Sequence, residues 1–96
     1  MDATIEFTFR KKLYYGNVFV EDSEYPCLIF AIVKDEGLAA EFGEEISLKT
    51  DFESLLPKKD DYPKLVELRK TIFTIVKNTA PYLKAKQRWQ AKPKRL

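Results

Sequence analysis

Cys27-Leu28-Ile29-Phe30-Ala31-Ile32-Val33-Lys34 is the stretch on which the fold turns. It is apolar at every position up to Val33, it is short, and it is rich in β-branched and aromatic types, so it reads as a strand. A strand apolar at both parities implies cover on both faces. The residues on either side of it supply the rest of a sheet. Ile5, Phe7 and Phe9 alternate with Thr4, Glu6, Thr8 and Arg10, the period of a half-buried strand over 3–10. Leu13 to Glu21 is a second strand, and Ile46 and Leu48 alternate with Ser47 and Lys49 in a strand over 45–50.

The first hairpin admits two turns. A turn at Lys11-Lys12 places Gly16 opposite Phe7, where a missing side chain leaves room for the ring. A turn at Gly16-Asn17, a favoured two-residue hairpin type, sets Lys12 against Glu21. The first uses all of Thr4–Arg10 and is preferred. Asp35-Glu36-Gly37 reads as a turn, Leu38–Gly43 as a short helical turn or irregular strand, and 51–61 as a loop with Leu55, Leu56 and Pro57 against the core.

Leu65, Leu68, Ile72, Ile75, Val76 and Thr79 fall at helical spacing, with Lys64, Glu67, Lys70, Thr74 and Lys77 largely opposite. This predicts an amphipathic helix over about 62–79, with Asp60 or Asp61 as N-cap and Pro63 in the first turn. Pro81 interrupts it, and a second basic helical segment over about 81–90 would set Tyr82, Ala85 or Lys86, and Trp89 on one face. The expected architecture is therefore α+β: an antiparallel sheet of about four strands (3–10, 13–21, 27–34, 45–50) packed by the 62–79 helix. Residues 1–90 form one domain, and 91–96 a basic tail. One helix covers one face only. The other face of the 27–34 strand needs Pro81–Gln90 or a second copy of the chain, which makes Leu28, Phe30 and Ile32 the candidate self-association residues.

Charge is split by position. Residues 1–63 carry fourteen acids and seven bases, whereas 64–96 carry ten bases and the single acid Glu67. Uncompensated lysines and arginines suit phosphate, because counterion release scales with the phosphates neutralised. Trp89 beside Arg88 could stack on an unpaired base. Lys84, Lys86, Arg88, Trp89, Lys92, Lys94 and Arg95 are accordingly the candidate polyanion contacts. The competing readings pack Trp89 and Tyr82 on the sheet with the lysines solvated, fold this segment back on the acids of 35–61, or leave it as a solubilising extension. Tyr14, Tyr15, Phe19 and Tyr25 are an aromatic set, but Glu21, Asp22 and Glu24 beside them repel phosphate.

The chain has no histidine and a single cysteine, Cys27. No internal disulfide, Ser-His-Asp arrangement or zinc set can be assembled, and no cofactor or metal is expected. Glu41, Glu44 and Glu45 with Tyr15 are the residues a small-ligand binder or enzyme would use. No uncharged stretch approaches the ~20 residues of a spanning helix, and the first residues lack a signal-peptide pattern, so a cytoplasmic protein is expected. The leading expectation is a non-catalytic binding or adaptor module whose basic end meets an acidic protein or nucleic acid. The alternative is a structural homodimer with no ligand.

Overall fold

The computed structural model describes residues 2–59 and 61–90. Four strands form one antiparallel meander in the order β1 (Asp2–Phe9), β2 (Lys12–Glu21), β3 (Cys27–Val33) and β4 (Glu45–Thr50). Three helices accompany them: α1 (Glu36–Phe42), α2 (Pro63–Val76) and α3 (Ala80–Gln90). This is the expected α+β arrangement, with the sheet packed against the C-terminal helices.

The hairpin turns at Arg10-Lys11, one residue before the expected place, so Gly16 pairs with Ile5 and Tyr14 with Phe7. Both turn residues have positive φ, 53° and 65°. A two-residue turn of that hand matches the twist of the strands, although neither residue is of the type that usually marks it. The missing side chain of Gly16 makes room for β3 rather than for a ring. A Cβ there would lie 2.8 Å from the Ile32 carbonyl oxygen.

Two other local expectations are corrected. Residues 35–37 open a helix: the Asp35 carboxylate caps α1 by accepting from the Leu38 N–H at 2.9 Å. That bond, with Lys12 nearby, holds the carboxyl below the usual aspartate range. Gly43 closes α1 at φ 92°, donating to the Ala39 carbonyl. The N-cap of α2 is Tyr62, without a side-chain cap. Asp61 instead accepts from the Lys58 N–H and pairs with Arg69, and Asp60 lies outside the described residues.

One core joins all of this. Ile5, Phe7 and Phe9, Val18 and Val20, Cys27, Ile29, Ala31 and Val33, and Ile46 and Leu48 point to the same side of the sheet. There they meet Leu68, Ile72 and Val76 of α2, and Tyr82 and Ala85 of α3. The 51–59 loop contributes Phe52, which is buried, while Leu55 and Leu56 are half-buried and Pro57 is exposed. After Thr50 the chain turns back, and the Leu56 N–H donates to the Lys49 carbonyl at 2.7 Å, so the loop covers the β4 edge.

Cys27 is fully buried in this core, and burial pushes its thiol up to about 12, assisted by Asp22 and Glu21. A thiol so protonated is a poor nucleophile. The native protein should therefore release no thiolate to a disulfide reagent at pH 8, and one equivalent after denaturation. Rapid labelling of native protein would contradict this packing.

Candidate functional site: the open face of the sheet

The strands bury one parity and expose the other. On the face away from the helices lie Thr4, Glu6 and Thr8 of β1, Leu13, Tyr15, Asn17, Phe19 and Glu21 of β2, Leu28, Phe30 and Ile32 of β3, and Glu45, Ser47 and Lys49 of β4. The pairing register arranges them in rows across the sheet. Phe19 stands beside Phe30, and Phe30 beside Ser47. Glu21, Leu28 and Lys49 form the row on one side, and Asn17, Ile32 and Glu45 the row on the other.

Leu13, Tyr15, Phe19 and Leu28 are 44%, 59%, 40% and 37% exposed. Phe19 and Leu28 adjoin the half-buried Phe30 and Ile32 across β2 and β3, and Leu13 and Tyr15 extend the apolar surface along β2 beyond Asn17. A clustered apolar surface differs from scattered surface leucines, because no described helix or loop shields it. Acids and lysines surround it: Glu6, Glu21 and Glu45, with Lys49 on the β4 side. Lys34 borders the shallow depression lined by Tyr15, Asn17 and Ile32.

The expectation that β3 has cover on both faces is thus half met. Pro81–Gln90, the candidate intramolecular cover, packs with α2 on the inner face: Tyr82 contacts Phe52 and Phe73 at ring-centroid distances of 5.7 and 5.8 Å. The reason is directional. α2 ends at Val76 on the inner side of the sheet, and the short Lys77–Thr79 connection, with Pro81 in the first turn of α3, cannot carry α3 around an edge.

The end of α3 is engaged within the domain. The Trp89 indole N–H donates to the Asp22 carbonyl at 2.9 Å, and its ring lies 5.5 Å from that of Tyr25. Arg88 pairs with the Asp22 carboxylate at 2.6 Å. Of the candidate polyanion contacts, Lys84 is exposed and Lys86 half-buried, Arg88 and Trp89 clasp the β2–β3 connection, and Lys92, Lys94 and Arg95 lie outside the described residues. Part of the charge split is therefore spent on neutralising the domain's own acidic half.

Comparison with known proteins gives no match to a family model, a curated protein or a solved structure. The reading of the site accordingly rests on its own chemistry.

The carboxylates expected for a ligand binder are dispersed. Glu41 accepts two 2.7 Å hydrogen bonds from Arg10, which hold its carboxyl below the usual glutamate range. Glu44 lines an open cleft of about 700 Å³ with Lys34, Asp35 and Glu36, at the junction of β3 and α1. Glu45 belongs to the open sheet face, and Tyr15 to the depression beside Lys34. Among the described residues no group of three or more His, Cys, Asp or Glu side chains is placed to hold a metal ion. No described helix is long and apolar enough to cross a membrane.

The sequence signal for the larger part of the open face lay in β2. Leu13, Tyr15 and Phe19 share one parity, and the observed register puts Phe19 beside Phe30 and Asn17 beside Ile32, while Leu13 and Tyr15 continue the same face past the end of the β3 pairing. Read strand by strand they are ordinary half-buried residues; only the pairing shows that they form one surface.

Proposed function

We propose that this chain is a non-catalytic interaction domain that self-associates through the open face of its sheet. The observation that carries the reading is the apolar surface of Phe19, Leu28, Phe30 and Ile32, extended by Leu13 and Tyr15 beyond Asn17, which no described helix or loop covers once α3 packs beside α2. Two antiparallel sheets packed face to face, about 10 Å apart, are a common way of burying such a surface. A second copy supplies the matching sheet without requiring any other component. A polyanion fits this face poorly, because Glu6, Glu21 and Glu45 would oppose its charge.

Four strands about 4.8 Å apart and some five residues long present a face roughly 20 Å on a side, which buries about 800 Å² in total, below the range of stable interfaces, so a weak, transient association with a constant of roughly a hundred micromolar is expected. Sedimentation from about 10 to 500 µM, a range that brackets such a constant, should show a reversible monomer–dimer equilibrium of the 11.2 kDa chain. Phe30→Glu, at the centre of the face, should leave a folded monomer. A monomer throughout the range for the unaltered chain would overturn the reading.

A further inference from the structure

We infer that the outer edge of β1 takes an extended peptide segment of a partner protein as an added antiparallel strand, with lysine or arginine at alternate positions and apolar residues between them. This edge is a different surface from the open face, and its role stands independently of self-association through that face.

The sheet has two edges, and the chain itself closes one of them. Hydrogen-bonding parity can be followed from strand to strand. The Val33 N–H donates to the Glu44 carbonyl on the β4 side, so Gly16, opposite Val33, turns its main-chain groups toward β1. Gly16 pairs with Ile5, so Ala3, Ile5, Phe7 and Phe9 bond to β2, whereas Asp2, Thr4, Glu6 and Thr8 direct N–H and C=O away from the sheet. On β4 the same alternation turns Ser47 and Lys49 outward, and both carbonyls are taken, by Arg69 Nε at 3.0 Å and the Leu56 N–H at 2.7 Å. Among the described residues no hydrogen bond reaches the outward main-chain groups of β1. Natural sheets blunt such an edge with a short strand, a bulge or a proline. β1 runs eight residues, pairs with β2 without a break and has no proline.

The pleat gives the side chains of an added strand two alternating surroundings. On the open-face side its neighbours are Asp2, Thr4, Glu6 and Thr8, two acids and no base. Opposite charges directly across an antiparallel ladder attract and like charges repel, so lysine or arginine belongs there. A cleft of about 680 Å³ wraps the same edge, from Glu6, Thr8 and Leu13 to Thr71, Thr74 and Ile75 of α2. The Thr71 and Thr74 hydroxyls donate at 2.9 Å to the Glu67 and Lys70 carbonyls of their own helix. With those donors spent, the α2 wall suits apolar side chains at the other parity. Main-chain bonds supply the affinity of such strand addition, and the alternation supplies its specificity. A second copy's β1 brings the same acids and no base over residues 2–8, so the edge discriminates against it.

Amide exchange followed by magnetic resonance, with a capped peptide alternating lysine and valine over the length of β1, tests this. Exchange of the Thr4, Glu6 and Thr8 amides should slow about ten-fold or more on saturation, and that of Ile5 and Phe7, already bonded to β2, should change less. N-methylation of the peptide's lysines removes the donors that face the edge and should weaken binding about ten-fold or more. N-methylation of its valines, whose N–H groups face solvent, should cost less than about three-fold. Glu6→Lys should weaken the peptide about ten-fold. Thr4→Pro, which removes an outward N–H and none of the β1–β2 ladder, should weaken it similarly. Thermal melts by circular dichroism establish that each variant folds. Exchange unmoved by the peptide, or equal binding of the lysine-methylated or a glutamate–valine counterpart, overturns the inference. Protection of Thr4, Glu6 and Thr8 in the chain alone, growing with its concentration, assigns the edge to a second copy and also overturns it.

Discussion

Phe52→Ala should cost about 3–5 kcal/mol, the range for deleting a buried aromatic ring. For a chain of this length total stability is on the order of 5–14 kcal/mol, so the loss takes a large share of it. Phe52 is only 3% exposed although it sits in a loop, at φ 70°. The turn that holds it there is built by its neighbours. The Thr50 hydroxyl donates to the Ser54 carbonyl at 2.6 Å and accepts from the Phe52 N–H at 3.0 Å. The Asp51 carboxylate accepts from the Glu53 and Ser54 N–H groups, which hold its carboxyl below the usual range. Phe52 then stands between Tyr25 of the β2–β3 connection and Tyr82 of α3, at centroid distances of 6.4 and 5.7 Å.

Because Tyr25 also contacts Trp89, removing the ring should loosen the clasp at the end of α3 as well as the core. Trp89 is the only tryptophan, so its emission reports that clasp directly. The expected result is a lower urea midpoint together with red-shifted native emission. A midpoint change equivalent to less than about 1 kcal/mol with unchanged emission, well below the buried-aromatic range, would contradict the assignment of Phe52 to the core.

Arg69→Met should cost about 2–4 kcal/mol by stranding buried polar groups. Arg69 is 4% exposed on the inner side of α2. Its Nε donates to the Ser47 carbonyl at 3.0 Å and its guanidinium pairs with Asp61, tying α2 to β4 and to the loop that covers the β4 edge. Methionine keeps the stem's packing and removes the charge, leaving the Asp61 carboxylate and the Ser47 carbonyl without that donor. Adding Asp61→Asn removes the stranded charge and should recover about 1 kcal/mol or more, since the cost lies in the unpaired carboxylate. Strict additivity of the two substitutions in urea unfolding would contradict that coupling.

Arg69 and Phe52 also mark where reading the chain alone stops. The helical stripe was legible as Leu65, Leu68, Ile72 and Val76, whose spacing any helix would bury. Arg69 lies beside that stripe, and a charged residue there normally faces water. It is inside because Asp61 and the Ser47 carbonyl arrive from distant parts of the chain to satisfy it. Phe52 sits among Asp51, Glu53 and Ser54 with no periodicity to mark it. Likewise the Arg10-Lys11 turn carries no glycine or asparagine, so its place followed from strand pairing rather than from turn chemistry.

The candidate site divides in the same way. Leu28, Phe30 and Ile32 were legible as a surplus of apolar residues on a strand that one helix could cover on one side only. Which side stayed open, and that Leu13, Tyr15 and Phe19 join them there, required the register of β2 against β3. The basic end was legible as charge, but Trp89 is half-buried against Tyr25, and Arg88, itself exposed, reaches the Asp22 carboxylate of the β2–β3 connection.

By itself the sequence determined the four strands and the two C-terminal helices, though not α1, because hydrophobic period and the proline breaks act over a few residues. It also determined that one strand carried more apolar surface than a single helix could hide. Only the tertiary structure decided which face kept that surface and where the buried arginine found its partners. Those outcomes depend on pairing between residues far apart in the chain, and no local pattern encodes which distant neighbours will meet.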